Sequence, residues 1–191
     1  FQMDYLSSSP RLAGTGEVRL LFGVTLLVLV SFGLVSCRGV DWFLLKRSLH
    51  SKFSDIHWIT TEELAHRMAD RDHIPPVLLD VRTPAEYEVS HLKGAHQVDP
   101  KADAQSAAKA IPKDAPIVTY CSVGYRSGEL AERLRTAGYT RVQNLEGSIF
   151  EWANEHRPLV RSDGERVTQV HPYNAVWGRL LAPDVRASVS P

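Results

Sequence analysis

The sequence predicts an α/β fold with a parallel sheet, and three features point to it. Two short, continuous apolar runs, at 77–81 and 117–120, are typical of strands that are buried on both faces. A helix-like segment follows each of these runs, and a further strand and helix are expected within 141–155. Because strands alternate with helices along the chain, each strand can return parallel to an earlier one.

The first predicted helix of the folded part begins at Thr60. The Thr60 hydroxyl and the Glu63 carboxylate can each bind the other residue's free backbone amide, which forms a capping box. Leu64 and Met68 supply the buried face of this helix, and two prolines at 75–76 end the region before the first buried strand.

Pro84 opens the next helix, after the strand at 77–81. The strand at 117–120 is followed at once by a loop that begins at Cys121. The other elements expected are a surface helix at 102–110, a helix from about Ser127 to Ala137 that Gly138 stops, a strand at 141–145 and a helix at 148–155.

Composition limits the classes of function. The chain has 191 residues and a formal charge of +0, from 22 basic and 22 acidic residues, so one ordinary domain is expected and nucleic acid is not expected as a partner. The two cysteines, Cys37 and Cys121, lie in different surroundings and do not suggest a disulfide framework. His91 and His96 lack the spacing of a zinc motif, so neither a metal nor another cofactor is proposed.

An apolar run at 20–37 carries no charged residue and indicates a signal peptide or a membrane anchor. It ends in Leu-Val-Ser-Cys, which resembles a bacterial lipoprotein cleavage box, with Cys37 as the tentative site of lipid attachment. We favour this interpretation, which predicts export and an extracytoplasmic domain held at the membrane by the N-terminal segment.

The alternative is an uncleaved, single-pass membrane helix with a cytoplasmic domain. Trp42 lies at interface distance, and the basic residues after the run outnumber those before it, as the positive-inside rule requires for that orientation. The predicted organisation is a signal or anchor at 1–37, a connector at 38–55, a folded domain at 56–158 and a C-terminal extension at 159–191 that packs on the domain. Aromatic residues of this extension are expected to pack rather than to take part in chemistry.

The loop that starts at Cys121 carries the main chemical signal. It leaves a buried strand and enters a helix N-terminus, where free backbone amides and the helix dipole favour the thiolate form of a cysteine. Gly124 permits a positive φ, and Arg126 can add a fixed positive charge for an oxyanion. Cys121 is therefore the candidate nucleophile, and the candidate substrate-binding residues are Ser122, Val123, Gly124, Tyr125, Arg126 and Ser127.

Four segments in order resemble those of rhodanese domains, over about residues 56–158. The segment LDVRTPAEY resembles their aspartate-valine-arginine segment, and SHLKGA resembles their glycine-histidine-isoleucine-proline-glycine-alanine segment. CSVGYRS is similar to their active loop, and LEGS to their closing glycine-glycine turn. Ser90, Lys93 and Ser148 stand where the family has glycine, proline and glycine, which affects local turn geometry more than the loop itself.

This resemblance implies a five-stranded parallel sheet flanked by helices and a ping-pong sulfur transfer. Cys121 would take sulfane sulfur from a small donor, thiosulfate or a persulfide, and pass it to a thiol, a cyanide-like acceptor or a protein acceptor. Asp80 and Arg82 are expected to support the site by pairing with each other rather than to act on substrate.

Two other functions stay open. A phosphatase or arsenate reductase of the related cell-cycle phosphatase type has its arginine six residues after the cysteine, whereas Arg126 follows Cys121 by five. The shorter loop suits one sulfur atom better than a whole phosphate. The second alternative is a catalytically idle rhodanese-type domain that serves as a binding module.

Overall fold

A computed structural model describes residues 41–70, 72 and 74–188. The apolar run at 20–37 and the lipidation site predicted at Cys37 lie outside these residues. Among the helices of the described ranges, none has the length and apolar character that a membrane span requires.

Five parallel strands form the main sheet, in the order β1-β5-β4-β2-β3. Their bounds are β1 His57–Ile59, β2 Val77–Asp80, β3 His96–Gln97, β4 Ile117–Tyr120 and β5 Val142–Leu145. Strand β4 is therefore central, between β5 and β2. The predicted α/β class and the five-stranded parallel sheet are confirmed.

Helices flank this sheet. Residues 41–52 are helical and are called α1, and the other helices are α2 Thr61–Ala69, α3 Pro84–Val89, α4 Ala104–Ala107, α5 Tyr125–Thr136 and α6 Ser148–Asn154. The predicted capping box is present, since Thr60 Oγ1 accepts from Glu63 N and Glu63 Oε2 accepts from Thr60 N, both at 3.1 Å. A second capping box joins Thr83 and Glu86 at the start of α3.

Two apolar clusters, one on each face of the sheet, form the core, because successive side chains of a strand point to opposite faces. Leu78 and Val118 belong to one cluster, which also holds buried residues of α2 and α6. Leu79 and Ile117 belong to the other, against α5. Strands β2 and β4 are thus covered on both sides, as their continuous apolar sequences predict.

Helix α1 lies within the segment predicted to be a connector, and it packs against the domain. Leu49 and Phe53 are buried in the same cluster as α5. Phe53 directly follows α1, and a side chain at Gly128 of α5 would meet its ring at 2.6 Å, so the chain at the end of α1 approaches α5 closely. The end of α1 is therefore part of the support of α5.

The chain after α6 folds back onto the domain. Strands β6 Leu159–Val160 and β7 Arg166–Val167 form an antiparallel pair, and Val160 forms a bridge to His91. Two 3₁₀ turns follow, at Trp177–Leu180 and Pro183–Val185. Val170, Leu181 and Val185 are buried in the cluster that covers α6, so this segment is an integrated part of the core.

Two of the predicted helices differ in extent. The helix expected at 102–110 is only Ala104–Ala107, and Ala104 and Ala108 are buried rather than on the surface. Helix α5 begins at Tyr125, two residues before the predicted Ser127, because Gly124 already adopts the left-handed conformation that ends the loop.

Candidate active site

Cys121 is the first residue after the central strand β4 and is 1% exposed. It opens a four-residue loop that ends at Gly124, where helix α5 begins. The Cys121 Sγ atom accepts a hydrogen bond from Gly124 N at 3.2 Å. The thiol is thus held at the carboxyl edge of a parallel sheet and at a helix N-terminus, where crevices for ligands and for anions usually form.

Gly124 has a φ of 109°, in the left-handed region that favours glycine. Its carbonyl oxygen accepts a hydrogen bond from Asn144 Nδ2 at 2.9 Å. Leu49 and Trp58 lie 3.5 Å from the position that a side-chain carbon would take at Gly124. The hydrogen bond from Asn144 of β5 to the Gly124 carbonyl thus fixes the loop from one side. This role of Asn144 could not be predicted from the sequence.

The turn before α6 holds the other side of the loop. Ser148 has a φ of 51°, in the left-handed region that favours glycine. It stands at the position where the resembling glycine-glycine turn has its second glycine. Its Oγ accepts from Cys121 N at 3.2 Å and donates to the Leu145 carbonyl at 3.2 Å. The serine thus makes two hydrogen bonds that glycine cannot make, which offset the strain of its backbone.

Arg126 lies in the first turn of α5 and is bound by Glu86. Its two terminal nitrogens donate to the two carboxylate oxygens of Glu86, both at 2.8 Å, and one also donates to Ser122 Oγ at 2.9 Å. Ser122 Oγ in turn donates to Glu86 at 3.0 Å. The positive charge that we expected to face an oxyanion is therefore already paired.

The charges of this pair are stabilised by each other. Burial alone would raise the pKa of Glu86, but the hydrogen bonds and charge of Arg126 lower it to about 2. Burial alone would lower the pKa of Arg126, but Glu86 and the neighbouring Cys121 hold it above its ordinary value. Arg126 is therefore charged beside the Cys121 sulfur across the physiological pH range.

A cavity of about 130 Å³ opens at Cys121. Of the six predicted binding residues, Ser122, Val123, Tyr125 and Arg126 line it, whereas Gly124 contributes its amide to Sγ. Ser127 is buried behind the loop, where its carbonyl oxygen lies 3.1 Å from Thr119 Oγ1. The cavity is completed by two residues that were expected only to pack, Tyr173 and Trp177.

Asp80 and Arg82 form a second buried pair, away from the cavity. Both side chains are fully buried, and Arg82 donates from Nε and Nη2 to the Asp80 carboxylate at 2.9 and 2.6 Å. Arg82 Nη2 also donates to the Ser90 carbonyl at 2.6 Å. This contact joins the end of β2 to the end of α3, and neither Asp80 nor Arg82 lines the cavity.

A larger hollow, of about 510 Å³, lies elsewhere between α3 and the C-terminal segment, and the described residues that line it include no cysteine. In the described ranges, no group of three or more histidine, cysteine, aspartate or glutamate side chains is arranged to hold a metal ion. We therefore place the candidate site at the smaller cavity, which Cys121, the candidate nucleophile, lines.

Known proteins match this part of the chain. The family model for the rhodanese-like domain matches residues 60–155. A sulfurtransferase of Allochromatium vinosum is 37% identical over 109 residues, which cover 57% of this chain and 99% of that protein. The thiosulfate sulfurtransferase PspE of Escherichia coli K12 is 37% identical over 70 residues, which cover 36% of this chain and 67% of PspE.

The fold has counterparts among solved structures. The rhodanese-like domain of the Alr3790 protein from Anabaena superposes with a TM-score of 0.51 at 21% sequence identity, over 62% of this chain and 89% of that domain. At that identity the likeness concerns the fold alone. The family match over residues 60–155 and the 37% identity to a sulfurtransferase that is covered over 99% of its length show that the chain belongs to the rhodanese-like domain family.

Proposed function

We propose that the protein is a sulfurtransferase in which Cys121 carries sulfur between two substrates as a persulfide. The position of Cys121 supports this proposal most directly. Its Sγ atom lies beside an open cavity at the end of the central strand and accepts a hydrogen bond from Gly124 N at 3.2 Å. The N-terminus of α5, with its free backbone amides, and the charged Arg126 lie beside this sulfur, so an anionic sulfur donor or leaving group meets N–H donors there.

In the first half-reaction, the Cys121 thiolate attacks the outer sulfur of the donor. With thiosulfate, a bond forms between Sγ and that sulfur, the sulfur–sulfur bond of the donor breaks, and sulfite leaves with the electron pair. A thiolate and a thiosulfate dianion become a persulfide anion and a sulfite dianion, so charge is conserved. The amides at the start of α5 can stabilise the anion at each stage.

In the second half-reaction, a thiolate or cyanide attacks the outer sulfur of the persulfide. The bond between the two sulfur atoms breaks, and the Cys121 thiolate leaves with the electron pair and is ready for another donor. Because Cys121 enters and leaves the cycle as a thiolate, the transfer requires no general base at the site. Within the described part of the chain, Glu86 is the only carboxylate hydrogen-bonded to a residue that lines the cavity, and it is engaged with Arg126 and Ser122.

Thiosulfate and organic persulfides are the candidate donors. The candidate acceptors are a small thiol, cyanide or a cysteine of a partner protein. The relative PspE is named a thiosulfate sulfurtransferase, which makes thiosulfate the first donor to test. Membrane attachment through the segment at 1–37 stays a prediction that concerns where the reaction takes place and not its chemistry.

A thiosulfate-to-cyanide assay on the full chain tests the proposal, with thiocyanate as the measured product. Cys121→Ser is expected to reduce thiocyanate formation to the uncatalysed background, because a serine hydroxyl does not form a persulfide. Unfolding curves for the two proteins should agree, which would exclude a loss of fold. A serine variant with wild-type activity would refute the mechanism, and turnover of an aryl phosphate without sulfur transfer would indicate the phosphatase alternative.

A further inference from the structure

Two aromatic side chains beside Cys121 come from outside the part of the chain that matches the family model. The match ends at residue 155, whereas Tyr173 and Trp177 lie in the C-terminal extension. Both line the cavity together with the loop residues Val123 and Tyr125. Part of the lining of the cavity is therefore supplied by a segment outside the matched domain.

The extension is fixed to the domain on both sides of these residues. Val170, before the two rings, is fully buried in the apolar cluster that also holds residues of α6, and within the extension its amide donates to the Val185 carbonyl at 2.8 Å. Asn154, at the end of α6, donates to the Leu180 carbonyl and accepts from Ala182 N, both at 2.8 Å. The segment that carries the two rings is thus held at its start and at its end.

Local turns then direct the two rings. Tyr173 adopts a φ of 63°, in the left-handed region, and its amide donates to His171 Nδ1 at 3.0 Å. Asn174 Oδ1 accepts from the amides of Val176 and Trp177, both at 3.0 Å, and so begins the 3₁₀ turn that carries Trp177. The Arg126 guanidinium lies over the Tyr173 ring, with Cζ 4.8 Å from the ring centroid.

The charges of the residues that line this cavity determine whether it favours an anionic or an uncharged substrate group. Among the described residues that line it, Arg126 is the only arginine, lysine, aspartate or glutamate, and its charge is paired with Glu86 through two hydrogen bonds. Lys52 lies over the Tyr125 ring, with Nζ 5.1 Å from the ring centroid, but it is exposed and does not line the cavity. A dianion such as thiosulfate therefore meets no unpaired cation within the cavity lining, whereas an uncharged carbon group meets aromatic surface.

The size of the cavity is consistent with a small organic group. Its volume is about 130 Å³. A closed apolar cavity of roughly 150 Å³ is sufficient to bind benzene in a protein core, so this open cavity can hold a ring or a short carbon chain next to the sulfur.

We propose that Tyr173 and Trp177 form an aromatic wall that binds the carbon portion of a low-molecular-weight organic thiol, and of its persulfide, at Cys121. This inference rests on the sulfur transfer proposed above and names the class of substrate. The wall determines specificity and does not take part in bond making.

Thiol and persulfide belong to one class because the two half-reactions are the reverse of each other. The Cys121 thiolate attacks the outer sulfur of R–S–SH, the sulfur–sulfur bond breaks, and R–S⁻ leaves with the electron pair. The product is Cys121–S–SH, which keeps the proton of the donor. When another thiolate attacks that outer sulfur, it gains the –SH group and Cys121 leaves as a thiolate, so the same wall serves the donor and the acceptor.

The test measures discharge of the Cys121 persulfide to two acceptors. The full chain is loaded with inorganic polysulfide, loading at Cys121 is verified by peptide mass, and the rates of sulfur loss to phenylmethanethiol and to cyanide are measured. Cyanide has no carbon side group for the wall to bind, so the ratio of the two rates reports on the wall. Phe43→Ala removes an exposed aromatic ring that does not line the cavity and serves as the matched control.

We expect the ratio of thiol to cyanide discharge to fall roughly tenfold in Tyr173→Ala and in Trp177→Ala, the effect of one lost aromatic contact. Trp177→Phe, which keeps a ring, should lose less, and Phe43→Ala should keep the wild-type ratio. An unchanged ratio in both alanine variants, whether or not the two rates fall together, would overturn the aromatic wall. Failure of the wild type to form any persulfide at Cys121 would instead overturn the proposed sulfur transfer.

Discussion

Glu86 binds Arg126 through both of its carboxylate oxygens, each 2.8 Å from a guanidinium nitrogen, and the Glu86 side chain is only 2% exposed. The two residues are 40 positions apart in the sequence. Their pairing joins the start of helix α3 to the start of helix α5 and fixes the arginine beside Cys121. The electrostatics of the site therefore depend on a carboxylate outside the loop.

Glu86→Gln should destabilise the protein at neutral pH by about 3 kcal/mol, because it leaves the charge of Arg126 largely buried without a partner. The pKa of Glu86 is lowered from 4.5 to about 2 in the folded protein, so its contribution is present above pH 4.5 and is lost as the pH falls towards 2. Urea unfolding from pH 7 to pH 2 should show the wild type and the variant converging.

Glu165→Gln is the matched control for that measurement, since Glu165 pairs with Arg161 on the surface and both side chains are exposed. Its effect should be within about 0.5 kcal/mol at every pH. A wild type and a Glu86→Gln variant that differ equally at pH 7 and at pH 2 would contradict the assignment of the lowered pKa to the Arg126 pair.

Gly124→Ala should impair both stability and sulfur uptake, because an alanine is strained at a φ of 109° and Gly124 N is the donor to Cys121 Sγ. We expect a loss of about 1–2 kcal/mol in unfolding free energy and a slower formation of the persulfide. Gly164→Ala provides the comparison, since Gly164 has a φ of 87° with no neighbouring atom within 4 Å and does not line the cavity. That variant should lose stability but keep the wild-type rate; a similar rate loss in both variants would contradict the role of the Gly124 amide.

At position 148, alanine should be worse than glycine. Both replacements remove the hydrogen bond from Cys121 N to Ser148 Oγ, but only glycine relieves the backbone at a φ of 51°. We expect Ser148→Gly to be more stable than Ser148→Ala by about 1 kcal/mol, measured by urea unfolding. The opposite order would show that the positive φ at this position carries no cost.

The elements that hold the nucleophile were predicted from the sequence, because their signals are local. The continuous apolar run at 117–120 and the glycine four positions into the next loop indicated a buried strand, a tight turn and a helix, and these are β4, Gly124 and α5. Strands β1 and β3 were not found from the apolar pattern, since they have 3 and 2 residues and include exposed side chains.

The partners of the loop could not be predicted, because they depend on contacts between distant parts of the chain. Glu86 has the sequence context of an ordinary capping residue and does cap α3. Its carboxylate, however, also binds Arg126. Tyr173 and Trp177 lie about fifty residues after Cys121 and were expected only to pack. Nothing in their local sequence indicates that the extension folds back to the cavity.

The central claim is tested most directly by the mass of the Cys121 peptide after the full chain is treated with a sulfur donor and excess reagent is removed. We predict an addition of about 32 Da on Cys121, the mass of one sulfur atom on a nucleophilic thiolate, which disappears when cyanide is added and thiocyanate forms in equal amount. Cys121→Ser should gain no such mass. A Cys121 thiol that is shown to be free and yet gains no sulfur from thiosulfate, from polysulfide or from an organic persulfide would contradict the claim and indicate a binding module instead.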